Sequence, residues 1–293
     1  MATLNSLMAF LLYSSFLLLV SCIQEKTQAS LQSSSHSPDC NRYNGTYLNL
    51  TSLRDLLIRQ EDTIVFCLIE RSKYPLNRQL YVKDKRLNIS LLDIFIYNSE
   101  AVQSQAGRYL SETENKFSEK ASWPPVSSPK CPPVLYHAGA CINRNDQILD
   151  YYVNTLLPQI AANGDDDWNY VPTEATDLTC LQALSWRIHL GKFVAETKFN
   201  QAPKAYTALI KAQNKTGLSE KLTDTNIEDQ IIKRVEEKAR VFGQDVGTNT
   251  SKPFKVKPKI VSDMYLKMVI PRTKDVELGY LLRRLDTKSK CRP

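Results

Sequence analysis

Histidine is scarce in this chain, with three among 293 residues. None of the seven cysteines forms a Cys-x-x-Cys pair or a Cys/His spacing of the zinc type, so no metal is expected. Arginine does not occur before Arg42, which argues against an arginine-rich plastid transit peptide. Long basic runs are missing too. The net charge of +7 is modest and dispersed, which argues against nucleic acid as a partner. Strand-like alternation is sparse, and no internal repeat is found.

The N-terminus is the strongest compositional feature. Residues 7–20 are almost wholly apolar and are followed by Ser21-Cys22 and then polar Gln24-Glu25-Lys26. That run is too short for a comfortable membrane span and has the length of a secretory signal core. The expected organisation is a signal peptide over 1–22, cleaved between 21 and 29, and a disordered segment over 23–45. A single large domain over 46–288 and a tail over 289–293 follow. Export through the ER to the exterior, without stable membrane association after cleavage, is the expected destination; an uncleaved anchor is the alternative.

Cysteine usage agrees with that compartment. Cys67 and Cys180 fall inside apolar helical patterns and read as buried free thiols. Cys40, Cys131, Cys141 and Cys291 fall in loops or tails, where cross-links stabilise. Three pairings are possible; Cys131 with Cys141 and Cys40 with Cys291 is the first choice. Five Asn-x-Ser/Thr sequons, at Asn44, Asn49, Asn88, Asn214 and Asn249, suit a secreted glycoprotein.

Apolar periodicity near 3.6 predicts an all-α domain of packed helices. Helices are expected over 53–74, 90–108, 146–162, 178–199, 203–214, 217–222, 225–242, 258–269 and 271–286. Ser52 and Asp55 suggest a capping box for the first. Prolines and glycines mark the joints, Pro271 among them, and 111–140 is the longest irregular connection.

One segment stands out: Thr179 to Phe199, TCLQALSWRIHLGKFVAETKF. As one helix it places Arg187, Gly191, Val194 and Lys198 on a shared face. The two cations are then about 16 Å apart along the axis, at about 1.5 Å per residue. Gly191 and Val194 form a low apolar floor between them. That pattern suits a compact ligand with two separated anionic groups; a solvated cationic stripe is the plain alternative. Trp186 lies about 100° around the helix from Arg187 and reads as core or interface.

The string RIHLGKFVAETKF at 187–199 is joined by LRDLLIRQEDTIVFCLIER at 53–71 and IPRTKDVELGYLLRRLD at 270–286. Between them, in order, lie QAGRY at 105–109, LLPQI at 156–160 and ARVFGQD at 239–245. Together these closely resemble the all-helical chorismate mutases of plants and fungi, from about residue 50 to residue 286. The resemblance implies a multi-helix homodimer with one active site inside each subunit. It also implies a unimolecular Claisen rearrangement of chorismate to prephenate without metal or cofactor. Such chemistry rests on holding a folded conformer and stabilising charge that grows on the ether oxygen.

The resemblance further implies residue roles. Arg54 and Arg187 each match an arginine that clamps one substrate carboxylate. Glu61, on the same face as Arg54, matches the acid that pairs with and orients Arg187. Lys198 matches the donor to the ether oxygen, Glu228 the acid that receives the substrate hydroxyl, and Thr273 with Glu277 the polar pair across from it. Asp224 stands where fungal sequences have a polar amide. His189 reads as packing, and Arg283 and Arg284 as structural. Each acid and base has a blander reading as a solvated helix charge.

Two departures concern regulation. Members that respond to aromatic amino acids carry Gly-Ser just upstream of the CLQ helix; here Val171-Pro172 falls in that stretch. Gly107 replaces one of two adjacent arginines, while Arg108 remains. The effector pocket is therefore expected to be degenerate. The competing functional reading is a secreted, catalytically inactive binding protein on the same fold. Loss of a clamp residue would have favoured it, and none is lost.

Overall fold

The computed structural model describes Cys40 and residues 45–121, 123–126, 131–245 and 253–286. The expected signal peptide and its cleavage region, the tail, Asn44, Asn249 and Cys291 lie outside the described residues. The chain divides between Arg42 and Tyr43 into two units. Cys40 alone is described in the first, and it is buried and disulfide-bonded.

Among the described residues every regular element is helical. Helix α1 is Leu50–Arg71 and α2 is Leu91–Gln105. Helix α3 runs over 145–160 with a π turn at Tyr152–Leu156. Helix α4 is Tyr170–His189, α5 Gly191–Gln201, α6 Pro203–Lys211, α7 Lys215–Leu222 and α8 Thr225–Phe242. Helix α9 runs over 258–283 with a π turn at Tyr265–Val269. The long connection holds a helical turn, His137–Ala140.

Three expectations change. The cap of α1 is Asn49, whose Oδ1 accepts from the backbone N–H of Thr51 and Ser52; the Ser52/Asp55 box is not formed. A genuine capping box opens α2, where Ser90 and Asp93 satisfy each other's backbone N–H. The expected helix over 178–199 begins eight residues earlier and is divided at Leu190 into α4 and α5. Pro271 breaks nothing. Both π turns end two residues before a proline, Pro158 and Pro271, and the widened turn accommodates a ring that would collide with a regular helical ladder.

Helix α1 lies along α4, burying Leu53, Ile64, Val65 and Leu68 against a core that includes Leu181, Leu184 and Ile188. Each such side chain contributes about 1.5–3 kcal/mol on burial. Helix α9 packs on α5 and α7, and α8 packs on α1 and the start of α9. As expected, Cys67 and Cys180 are buried free thiols, and Cys131 and Cys141 are disulfide-bonded.

A buried ion pair fixes α1 on α4. Arg71 Nε donates to Asp177 Oδ1 at 2.6 Å, and both side chains are wholly buried. Tyr152 and Tyr81 donate their hydroxyls to the same carboxylate at 2.7 and 2.6 Å. The Arg71 guanidinium also donates to the carbonyls of Tyr74, Pro75 and Leu76, closing the chain that leaves α1. Removing one member strands the other in low dielectric. Arg71→Met is expected to cost about 3–5 kcal/mol, read as a lowered denaturant midpoint; a change below about 1 kcal/mol would show that the network is dispensable.

Candidate functional site

A cavity of about 320 Å³ opens between α1, the α4–α5 pair, the α7–α8 junction and α9. Arg54, Arg187, Lys198, Asp224, Glu228, Thr273 and Glu277 all line it. Residues from five helices, spread over more than two hundred positions of sequence, thus converge. Leu53, Leu57, Val194, Ile227, Ile231 and Ile270 supply the apolar wall, and Lys221 and Lys274 add two further cations. Among the described residues five basic side chains therefore face three acidic ones.

The two arginines differ in setting. Arg54 stands exposed in the first turns of α1, at the mouth. Arg187, near the C-terminal end of α4, is only 3 % exposed. Its Nη1 donates to Thr273 Oγ1 at 3.4 Å, a long contact. The guanidinium carbon lies 5.9 Å from the Tyr265 ring centroid. Its Nε is buried without a hydrogen-bond partner. Among the described residues the side-chain partner of Arg187 is a hydroxyl and not a carboxylate, and the guanidinium lines the cavity, so this edge suits an anionic group.

Among the described residues Glu61 is hydrogen-bonded to α8 and not to Arg187: Arg234 donates to it through Nε and Nη2 at 2.8 and 2.6 Å, and Lys238 Nζ lies 3.1 Å away. The two basic residues are one helical turn apart, and that i, i+4 spacing was the available signal. Glu61 is thereby satisfied without drawing on Arg187.

Lys198 Nζ donates to the Leu222 carbonyl at the end of α7, 2.9 Å away, which anchors it at the cavity. Asp224 is committed as the N-cap of α8, accepting from the Ile227 N–H at 3.2 Å. Its role is thus to start the helix that carries Glu228 in its first turn. Glu228 Oε1 accepts from Lys274 Nζ at 2.9 Å.

Gly191 is not on the cavity floor, which falls to Val194. It sits where α5 meets α9: a Cβ there would come within 3.0 Å of the Thr273 carbonyl and 3.2 Å of Glu277 Cγ. Its missing side chain lets α9 approach until Thr273 and Glu277 reach the cavity. Further along, Glu196 accepts from Tyr280 Oη and Arg284 Nε, both at 2.6 Å. Arg284 also stacks over Tyr136 and Phe199. Arg284 is structural, as expected.

Glu277 is buried, and burial pushes its carboxyl up to about 7. Lys198, Arg187 and Lys274 pull the other way, and Glu228 adds to the rise. His189 is wholly buried; its Nδ1 donates to the Ser185 carbonyl and its Nε2 accepts from the Arg144 N–H. Burial lowers its pKa to about 3, so it is neutral packing and not a base. Trp186 is half-buried and packs on the core.

The region expected to have lost an effector pocket lies elsewhere. Gly107 adopts φ +89°, a conformation in which any side chain is strained. Arg108 is engaged by Gln103, Gln182 and Glu114. Val171 and Pro172 form the first turn of α4, with Val171 exposed.

Residues 171–278 match the family model for chorismate mutase type II. The chain is 44% identical over 250 residues to chorismate mutase 2 of Arabidopsis thaliana, covering 82% of this chain and 94% of that one. It is 46% identical to chorismate mutase 2 of Petunia hybrida, with the same coverage. Among solved structures it is similar to a Candida albicans chorismate mutase in complex with L-Trp, at TM-score 0.77 and 36% identity, covering 83% and 94%. It is also similar to the chorismate mutase AtCM1 with tyrosine bound in its allosteric site, at TM-score 0.72 and 42% identity, covering 81% and 97%. With identity of this order across most of both chains, an all-helical architecture and a cation-rich cavity, the chain belongs to the plant and fungal family of all-helical chorismate mutases.

Proposed function

We propose that this cavity accelerates the chorismate-to-prephenate rearrangement by conformational clamping and electrostatic stabilisation. Arg187 takes one substrate carboxylate and Arg54, at the mouth, takes the other. Lys198 and the protonated carboxyl of Glu277 donate to the ether oxygen as negative charge grows there. Glu228 accepts from the substrate hydroxyl, and Thr273 holds Arg187 and the α9 edge in register. The observation that carries this reading is the buried Arg187, hydrogen-bonded among the described residues to no carboxylate, lining the same cavity as the buried acid Glu277. Five cations against three acids suit a dianion. No proton transfer or covalent bond to the protein is needed, because one C–O bond breaks as one C–C bond forms within the substrate. A millionfold acceleration corresponds to about 8 kcal/mol, within reach of a few donors aimed in a dry site. The mature protein assayed for chorismate loss is expected to turn over. Arg187→Ala or Lys198→Ala is expected to lose about 3–4 kcal/mol of transition-state stabilisation. A folded, inactive wild type would favour the binding-protein reading instead.

The sign of the pH dependence follows from Glu277. A carboxyl can donate only when protonated, and here protonation is complete below about 7 and lost above it. A bound dianion raises the group further. Activity is expected to be highest on the acid side and to fall as pH rises through neutrality. Glu277→Gln, whose amide donates at any pH, is expected to flatten that fall; an unchanged alkaline limb would remove Glu277 from this role.

Effector control is expected to be lost. Pro172 offers no backbone N–H at the start of α4, and Gly107 lacks the charge an arginine would bring. Addition of tryptophan or tyrosine at micromolar concentration is expected to change turnover by less than about twofold. A several-fold shift with either would refute this.

We infer also that the protein is a secreted, glycosylated homodimer. The disulfide-bonded Cys131 and Cys141 support an oxidising compartment. Asn49, Asn88 and Asn214 are exposed, and the caps formed by Asn49 and Asn214 use Oδ1, leaving Nδ2 for a glycan. Helix α2 presents Leu91, Ile94 and Val102 outward with Phe95 beside them, an apolar stripe suited to a second copy. The expected outcome is a mass drop on endoglycosidase treatment of protein from the culture medium and a dimer by light scattering. An intracellular, unmodified monomer would be the contrary result.

A further inference from the structure

The cavity holds two cations that the assignments above leave without a task, Lys221 and Lys274, and of these Lys274 is hydrogen-bonded to a residue of the site. Lys274 precedes Glu277 by three residues on α9, so the two share a face. Its Nζ lies 2.9 Å from Glu228 Oε1, and both side chains line the cavity, about 30% and 26% exposed. The contact joins the first turn of α8 to α9. It occupies one carboxylate oxygen of Glu228 and leaves the other free.

We infer that Lys274 is a positioning residue for the rearrangement: it steers Glu228 so that its free oxygen meets the substrate hydroxyl, and it couples that acid to Glu277 across the cavity. This rests on the roles proposed above for Glu228 and Glu277. A glutamate at the head of α8 has several rotamers, and an ammonium on the facing helix selects one. Lys274 also adds positive charge near Glu277, while Glu228 adds negative charge. The pair is therefore nearly neutral as Glu277 sees it, and loss of the lysine leaves Glu228 unbalanced. The groups around Glu277 are Arg54 from α1, Arg187 from α4, Lys198 from α5, Lys221 from α7, and Asp224 and Glu228 from α8, with Lys274 from its own helix. Tyr206 of α6 also feels its charge. Among these, Lys274 alone is hydrogen-bonded to Glu228.

The experiment measures kcat, KM and the pH profile for Lys274→Met, Lys274→Gln and Lys274→Arg, each also in a Glu277→Gln background. A half-exposed pair of this kind is worth up to about 1 kcal/mol, so KM is expected to rise about fivefold in the Met and Gln variants, with melting temperature nearly unchanged. Their alkaline limb is expected to move to higher pH, because a cation that disfavours protonated Glu277 has gone. Lys274→Arg is expected to restore both. In the Glu277→Gln background the KM effect is expected to persist and the limb shift to vanish. Folded Met and Gln variants with wild-type KM and limb would overturn the inference, as would a limb shift that survives Glu277→Gln. Failure of the parent assignment is separately visible, since Glu277→Gln alone would then leave the wild-type limb in place.

Discussion

The structure is organised around an excess of positive charge held at a partly open, apolar-walled cavity. Like charges repel strongly where water is excluded, so such a site must be imposed by packing elsewhere. The imposition is visible in the ion pairs that do not enter the cavity. Arg71 with Asp177 ties α1 to α4, which sets Arg54 relative to Arg187. Glu196 with Tyr280 and Arg284 ties α9 to α5, which sets Thr273 and Glu277 relative to Lys198. Glu61 is paired with two basic residues of α8. Asp177, Glu196 and Glu61 are thus satisfied by partners that do not line the cavity. The buried guanidinium keeps its capacity for a ligand.

Burial shifts His189, Lys192 and Glu277 among other groups, and their partners oppose or reinforce the shift. His189 is neutral because burial disfavours its charge, with Lys192 and Arg144 acting the same way and the Ser185 carbonyl opposing them. Lys192, buried between the Asn115 side chain and the Ala140 carbonyl, is lowered to about 7, with Glu112 partly restoring it. Glu277 is raised to about 7 although three cations oppose the rise. Only Glu277 among them lines the cavity. The group best placed to hold a proton near an anionic substrate is therefore an acid, and the histidine that sequence inspection notices first is spent on packing.

Much of this was legible in the chain. Helices with a strong apolar period, such as α8 over 225–242, fall where the pattern puts them, since burial of one face is what makes them helices. Arg54, Arg187, Lys198, Asp224, Glu228, Thr273 and Glu277 were named before their convergence was visible, because three long motifs survive in order. What escaped was set by neighbours rather than by local preference. Asn49 wins the cap of α1 over Ser52. Two π turns absorb prolines that read as breaks. Glu61 finds its partners on a helix some 170 residues away in the chain. Gly191 reads as floor on an isolated helix, and only the approach of α9 shows that its missing side chain serves a helix contact.

That contact also explains how a weakly amphipathic pair of helices can carry a demanding site. Helix α5 buries seven of its eleven residues, apolar and charged alike, and only Val194 and Lys198 of it line the cavity. Specific placement comes instead from steric limits. The Leu190 turn places Arg187 and Lys198 on separate helices, and Gly191 lets α9 approach to backbone contact. Thr273 spends its hydroxyl on the Val269 carbonyl, in the π turn that precedes Pro271. Its Oγ1 therefore presents a lone pair, not its hydrogen, toward Arg187. A widened helical turn, an absent side chain and one hydroxyl thus set the orientation of the guanidinium, with no carboxylate used in doing so. The site keeps its positive charge because geometry, not ion pairing, holds its central arginine.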